Sequence, residues 1–155
     1  RGGDWIDENV SKDTGVSRAK VSHIKENSGL MDLKKGIEDD IYGEGSGEQA
    51  NVLHAIRSYY GVLVNYLLTN LQHQFEGADK MPNFPDPIPV VIGGGTCLVK
   101  GFIDVFNEQF NQDTFPIPVK EIRIVEDSHT SISRGCFSEA QLIQEEEEEG
   151  EEDNS

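Results

Sequence analysis

Val90-Val91-Ile92-Gly93-Gly94-Gly95-Thr96-Cys97-Leu98-Val99-Lys100-Gly101 is the stretch on which the reading of this chain turns. Val90-Val91-Ile92 is a short continuous apolar run, the pattern of a strand buried on both faces. Three glycines end it. Val99, Phe102, Ile103, Phe106 and Phe110 then recur at helical steps, and Pro118 to Val125 reads as a second strand with Val119, Ile122 and Ile124 as its apolar residues. Strand, glycine turn, helix, strand is a right-handed βαβ unit, so the expected fold class is α/β. A turn without side chains lets a ligand approach bare backbone amides, and a helix amino end favours anions. Ligands of open α/β sheets sit at the carboxyl ends of strands, where this turn lies. It matches neither G-x-G-x-x-G nor G-x-x-x-x-G-K-[ST]. On the residues alone it is either a nucleotide cradle or merely a tight strand–helix turn.

Working backwards, Pro82, Pro85, Pro87 and Pro89 make an extended connector. Before it lies the longest periodic element. Ser46 and Gln49 form a capping-box pattern, and Val52, Ile56, Tyr59, Tyr60, Leu63, Leu67, Leu71 and Phe75 follow at three- and four-residue steps. At the amino end, Trp5, Ile6 and Val10 predict a short helix that breaks at Gly15, with Asp4 as its N-cap. A second helix has Val16, Ala19, Val21 and Ile24 inside and Lys20, His23 and Lys25 near its outer face. Residues 16–48 read as a small, irregular α+β subdomain. Beyond the second strand, Ile132, Cys136, Ala140 and Ile143 mark a closing helix.

The chain has 155 residues and a net charge of -16. That is the length of one domain, and the charge repels nucleic acid and anionic lipid alike. Eight of the last eleven residues are acidic, which accounts for half of the net charge. The run buries nothing, so 1–144 reads as the domain and 145–155 as a disordered acidic tail, a solubilising segment before it is a docking site. No apolar run has the length of a membrane span. Cys97 and Cys136 are isolated, so a reducing cytoplasm is the expected location.

Val91 through Gly101 resembles the adenosine motif of the actin-like ATPases, the superfamily of actin, the bacterial rod-shape and plasmid-segregation actins and the heat-shock chaperones. Three further stretches resemble that superfamily in its own order. Gly2-Gly3-Asp4-Trp5-Ile6-Asp7 is similar to the segment after its second phosphate loop. Ile24-Lys25-Glu26 is similar to its adenine-flanking I-K-E, and Val125-Glu126-Asp127 through Gly135 to the run that opens its last helix. The resemblance implies the second half of an actin-like (ribonuclease H-like) fold that binds ATP, with Mg²⁺ carried on the nucleotide. By it, Gly93, Gly94 and Gly95 pass under the ribose and phosphates, and Gly3 and Asp4 lie near the phosphates. Thr96 and Leu98 border the base, Lys25 and Glu26 hold the sugar and adenine edge, and His129 stacks on the base. The implied partners are further copies of the chain, as a filament, and an unidentified adaptor.

Both phosphate loops and the water-orienting acid of the superfamily are missing here, so this chain alone is not expected to hydrolyse ATP. Read without the resemblance, Lys25 and Glu26 are solvated charges and Cys97 a small buried filler. His23, His54 and His73 have no partner at metal spacing, and Glu38, Asp39 and Asp40 form a solvated turn rather than a calcium loop. The leading expectation is nucleotide-dependent polymerisation for segregation, shape or positioning. A chaperone-like or reactivating ATPase that acts on a partner protein is the second, and a non-enzymatic interaction module the third.

Overall fold

The computed structural model describes residues 2–30, 46–76 and 84–152. Residues 31–45 of the expected subdomain, including the acidic group at 38–40, lie outside those residues, as do Pro82 and the chain end at 153–155. The described elements are helices α1 (Gly3–Thr14), α2 (Arg18–Ser28) and α3 (Ser46–Glu76), strand β1 (Ile88–Ile92), a 3₁₀ turn at Gly95–Leu98, helix α4 (Phe102–Gln109), strand β2 (Val119–Ile124) and helix α5 (Ser131–Glu152).

Helices build the core. The 31 residues of α3 carry Val52, Leu53, Ile56, Tyr60, Leu63, Val64 and Leu68 into the interior, and α1, α2 and α4 all pack on it. Ile6 and Val10 of α1, Val21 and Ile24 of α2 and Phe102, Val105 and Phe106 of α4 close the cluster. Leu67 and Leu71 of the predicted apolar stripe face outward instead. The stripe is wide, and the three neighbouring helices cover only part of it.

The expected α/β, actin-like half-fold is therefore corrected. Among the described residues there are five α-helices and a sheet of only two strands. β1 and β2 pair in parallel, Val90 with Ile122 and Ile92 with Ile124, and α4 forms the crossover. The short motifs specify local turns, but the number of strands in a sheet depends on pairing that they do not encode. β1 is also not buried on both faces: its burial alternates, and Val91 is 47% exposed. The last helix does not close the core either. Ile132 and Phe137 are each 65% exposed, and α5 runs on to Glu152, through most of the segment read from sequence as disordered.

One contact fixes α2 relative to the glycine segment. Gly29 (φ +71°) follows α2, and Gly101 (φ +89°) precedes α4. The Leu30 amide donates to the Lys100 carbonyl oxygen at 2.7 Å. A Cβ added at Gly29 would stand 2.9 Å from that oxygen, and one at Gly101 would stand 2.6 Å from the Leu30 carbonyl oxygen. Backbone touches backbone, which only glycines at both positions permit. Among the described residues, no helix is long and apolar enough to cross a membrane.

Candidate functional site

The three glycines after β1 do different work. A Cβ on Gly93 would meet Ser131 Oγ at 2.8 Å and Val125 Cγ1 at 3.3 Å, so this glycine lets the start of α5 approach the strand end. Gly94 has φ +111° and ψ 158°, a region open to glycine alone. Around Gly94 and Gly95 a built Cβ meets nothing within 4 Å, so the backbone there borders open space.

The turn is held from behind by Ser128, which is buried although its neighbours Asp127 and His129 are exposed. The Gly94 amide donates to Ser128 Oγ at 2.8 Å, and that hydroxyl donates to the Gly94 carbonyl oxygen at 2.9 Å. Cys97 Sγ donates to the same oxygen at 2.9 Å and lies 3.2 Å from Ser128 Oγ.

The expected helix amino end is not at this turn. The glycines lead into a single 3₁₀ turn, and α4 starts only at Phe102, because Gly101 in its left-handed conformation interrupts the chain. Besides the start of α5 beside Gly93, a second helix end at the turn belongs to α1. A Cβ on Gly3 would lie 3.8 Å from Thr96 Oγ1 and 3.4 Å from Lys25 Nζ. Gly2, the N-cap of α1, offers no side chain to its first amides. Lys25 Nζ donates to both Asp7 oxygens at 2.7 Å, and both side chains are over nine-tenths buried. Tyr60, from α3, donates to the Thr96 carbonyl oxygen at 3.3 Å. Three helices thus converge under the glycine turn.

Burial raises the Tyr60 hydroxyl pKa well above its ordinary value, and electrostatic interaction with Asp7 and then with Cys97 adds to the effect. Unfolded, the group loses its proton near the ordinary value of 10.0; folded, it keeps it. Stability therefore falls as pH rises above that value, by up to about 1.4 kcal/mol per pH unit for one such group. Tyr60→Phe is expected to flatten this slope in urea unfolding measured at pH 9 and about pH 11. An unchanged slope would assign the alkaline loss to another group.

The structure thus brings Gly3, Lys25, Gly93, Gly94, Gly95 and Thr96 to one place. Lys25 sits there as half of a buried ion pair, not near an outer face. Asp4 is exposed, paired with Arg18 at 2.9 Å, and is a first-turn residue rather than the N-cap. Glu26 faces solvent and accepts from Ser22 Oγ at 3.2 Å, away from its neighbour Lys25. Adjacent helical residues point about 100° apart, so one is buried and the other is not. Leu98 and His129 are exposed. Asp7, Tyr60 and Ser128 were not among the expected site residues. Asp7 stood within a quoted motif and Tyr60 within a helical stripe, whereas Ser128 occupied an unspecified position of the Val125–Gly135 run. Among the described residues, no group of His, Cys, Asp and Glu is arranged to hold a metal ion.

The family model described as Volactin matches residues 1–140. The chain belongs to the Volactin family. That match replaces the resemblance to the actin-like ATPases: the family that covers nine-tenths of the chain is Volactin, not an actin-like ATPase family. The four stretches behind the resemblance are short, and a strand end, a glycine turn and a helix start recur in many folds. No curated protein and no solved structure matches the chain. Membership of the Volactin family rests on nearly the whole described core, from α1 to the first part of α5.

Proposed function

We propose that this Volactin-family chain supplies one wall of an ATP site, with Mg²⁺ carried on the nucleotide, and that nucleotide occupancy drives its self-assembly in the cytoplasm. The observation that carries the reading is the open space over Gly94 and Gly95, beside the uncapped amino end of α1 at Gly3. Glycine backbone without overhanging side chains and a helix amino end together suit an anionic, flat ligand. The reading assigns nucleotide binding, and no hydrolytic step, to the described residues. The exposed apolar residues Val91, Ile132, Phe137, Leu142 and Ile143 support the self-assembly part, since association would remove them from water.

Gly95 gives the cleanest test. Its φ is not positive and its Cβ direction is open, so Gly95→Val is accommodated without backbone strain. Titration with a fluorescent ATP analogue should show at least a tenfold loss of affinity in Gly95→Val, with an unchanged melting temperature. Equal affinity, or no binding by the unaltered chain, would end the ATP reading. Sedimentation with ATP tests the second part. A chain of net charge -16 repels its copies, so the pelleted fraction should grow as salt shortens the screening length from about 10 Å at 0.1 M to about 3 Å at 1 M. No ATP-dependent pellet at any ionic strength would remove self-assembly.

A further inference from the structure

We infer that Ser128 is the positioning residue of the glycine turn: its hydroxyl holds Gly94 in the one conformation that turns the Gly94–Gly95 backbone toward the open side. The inference rests on the ATP-site reading and deepens it, because it names what shapes the ligand-facing surface. Ser128 Oγ both accepts from the Gly94 amide and donates to the Gly94 carbonyl, so a single side chain engages both polar groups of one residue. The Ser128 carbonyl oxygen accepts from the same amide at 3.2 Å. Cys97 Sγ, 3.2 Å from Ser128 Oγ, closes the cluster on the buried side.

This arrangement acts on geometry that Gly94 does not hold by itself. Glycine populates several backbone regions of similar energy, so a glycine run selects one only where its surroundings impose it. Every hydrogen bond named here points to the protein side of the turn and leaves the opposite side for a ligand. Ser128 itself is shielded and makes no direct ligand contact. It also links the turn to α5, since Ser131 Oγ donates to the Ser128 carbonyl oxygen at 3.2 Å and the Ser131 amide to that of Asp127 at 2.9 Å.

Ser128→Ala isolates the hydroxyl. In that variant the Gly94 amide keeps the Ser128 carbonyl and the Gly94 oxygen keeps Cys97, so the chain retains its fold. Two quantities are read in the whole chain: hydrogen exchange at the Gly94 amide, and affinity for a fluorescent ATP analogue. Ser128→Ala should speed Gly94 exchange and weaken the analogue, each by about tenfold, while amides of Ile56 and Val64 in α3 exchange as before. Ser128→Thr, which restores a hydroxyl, should recover both. Unchanged Gly94 exchange would overturn the proposal. So would equal affinity of Ser128→Ala and an unaltered chain that binds the analogue, and that result would leave the ATP reading standing. An unaltered chain that does not bind overturns both together, and recovery by Ser128→Ala of full affinity after mild cooling would reduce Ser128 to a stability role and overturn the proposal alone.

Discussion

Asp7→Ala is expected to lower the folding free energy by about 3–5 kcal/mol, the usual loss when one partner of a buried ion pair is removed. The Lys25 ammonium is then left in a site that is over nine-tenths buried, with its carboxylate gone. The loss has this size because the penalty is for the charge left behind rather than for the missing attraction. A domain of ordinary stability has about 5–15 kcal/mol in total, so the variant sits near unfolding. The double replacement of Asp7 by Leu and Lys25 by Met removes both charges and should recover most of the loss. Urea unfolding of the two variants checks both statements. If Asp7→Ala lost less than about 1 kcal/mol, the pair would be wet rather than buried. The pair also joins α1 to α2 directly beneath Thr96, so a chain that survives Asp7→Ala should bind the ATP analogue more weakly as well.

Gly101→Ala is expected to cost about 3 kcal/mol through two separate causes. Its φ of +89° is one that an L side chain rarely adopts, at about 1–2 kcal/mol. The added Cβ also stands 2.6 Å from a backbone oxygen, that of Leu30, which cannot rotate away as a side chain would. Overpacking of this kind costs about 1–3 kcal/mol. For a chain of this length the sum lowers the melting temperature by roughly 6–12 °C. Gly95→Ala is the control: it meets nothing within 4 Å at a permitted φ and is expected to be neutral or stabilising. Equal melting temperatures for the two variants would refute the backbone contact between Gly29–Leu30 and Lys100–Gly101.

The periodicity of the helices was largely readable. Gly15 stops α1 at φ +73° where the apolar pattern breaks, and α3 begins at Ser46, where the long periodic element starts. The segment from Val90 to Ile124 was readable as strand, turn, helix and strand, and its two strands do pair in parallel. What misled was the step from those pieces to a whole fold. Four short motifs in the right order resembled the actin-like ATPases, yet the family that matches is Volactin and the core is helical. Short motifs record local backbone requirements. They say little about how many strands join a sheet, because each further strand comes from chain far away in sequence.

Within the site, the glycines announced themselves and their partners did not. Gly93, Gly94 and Gly95 stand out in any reading, since three successive residues without side chains imply close approach. Their roles still differ by what lies opposite: Ser131 against Gly93, and nothing against Gly94 and Gly95. Ser128, 34 positions from Gly94, holds the turn with a side chain common on any surface. Lys25 looked solvated because its own helix is short and polar, and Asp7, 18 positions away on another helix, makes its burial possible.

The sequence by itself determined the local elements, the acidic charge and the glycine turn, because helical period, chain stops and net charge are properties of neighbouring residues. Tertiary structure decided that Lys25 is buried, that Glu26 beside it is not, that α1 rather than α4 brings its amino end to the turn, and that Ser128 clamps Gly94. Each of those depends on which distant surfaces meet, and a buried charge or a glycine-only contact is favourable only once its partner is in place.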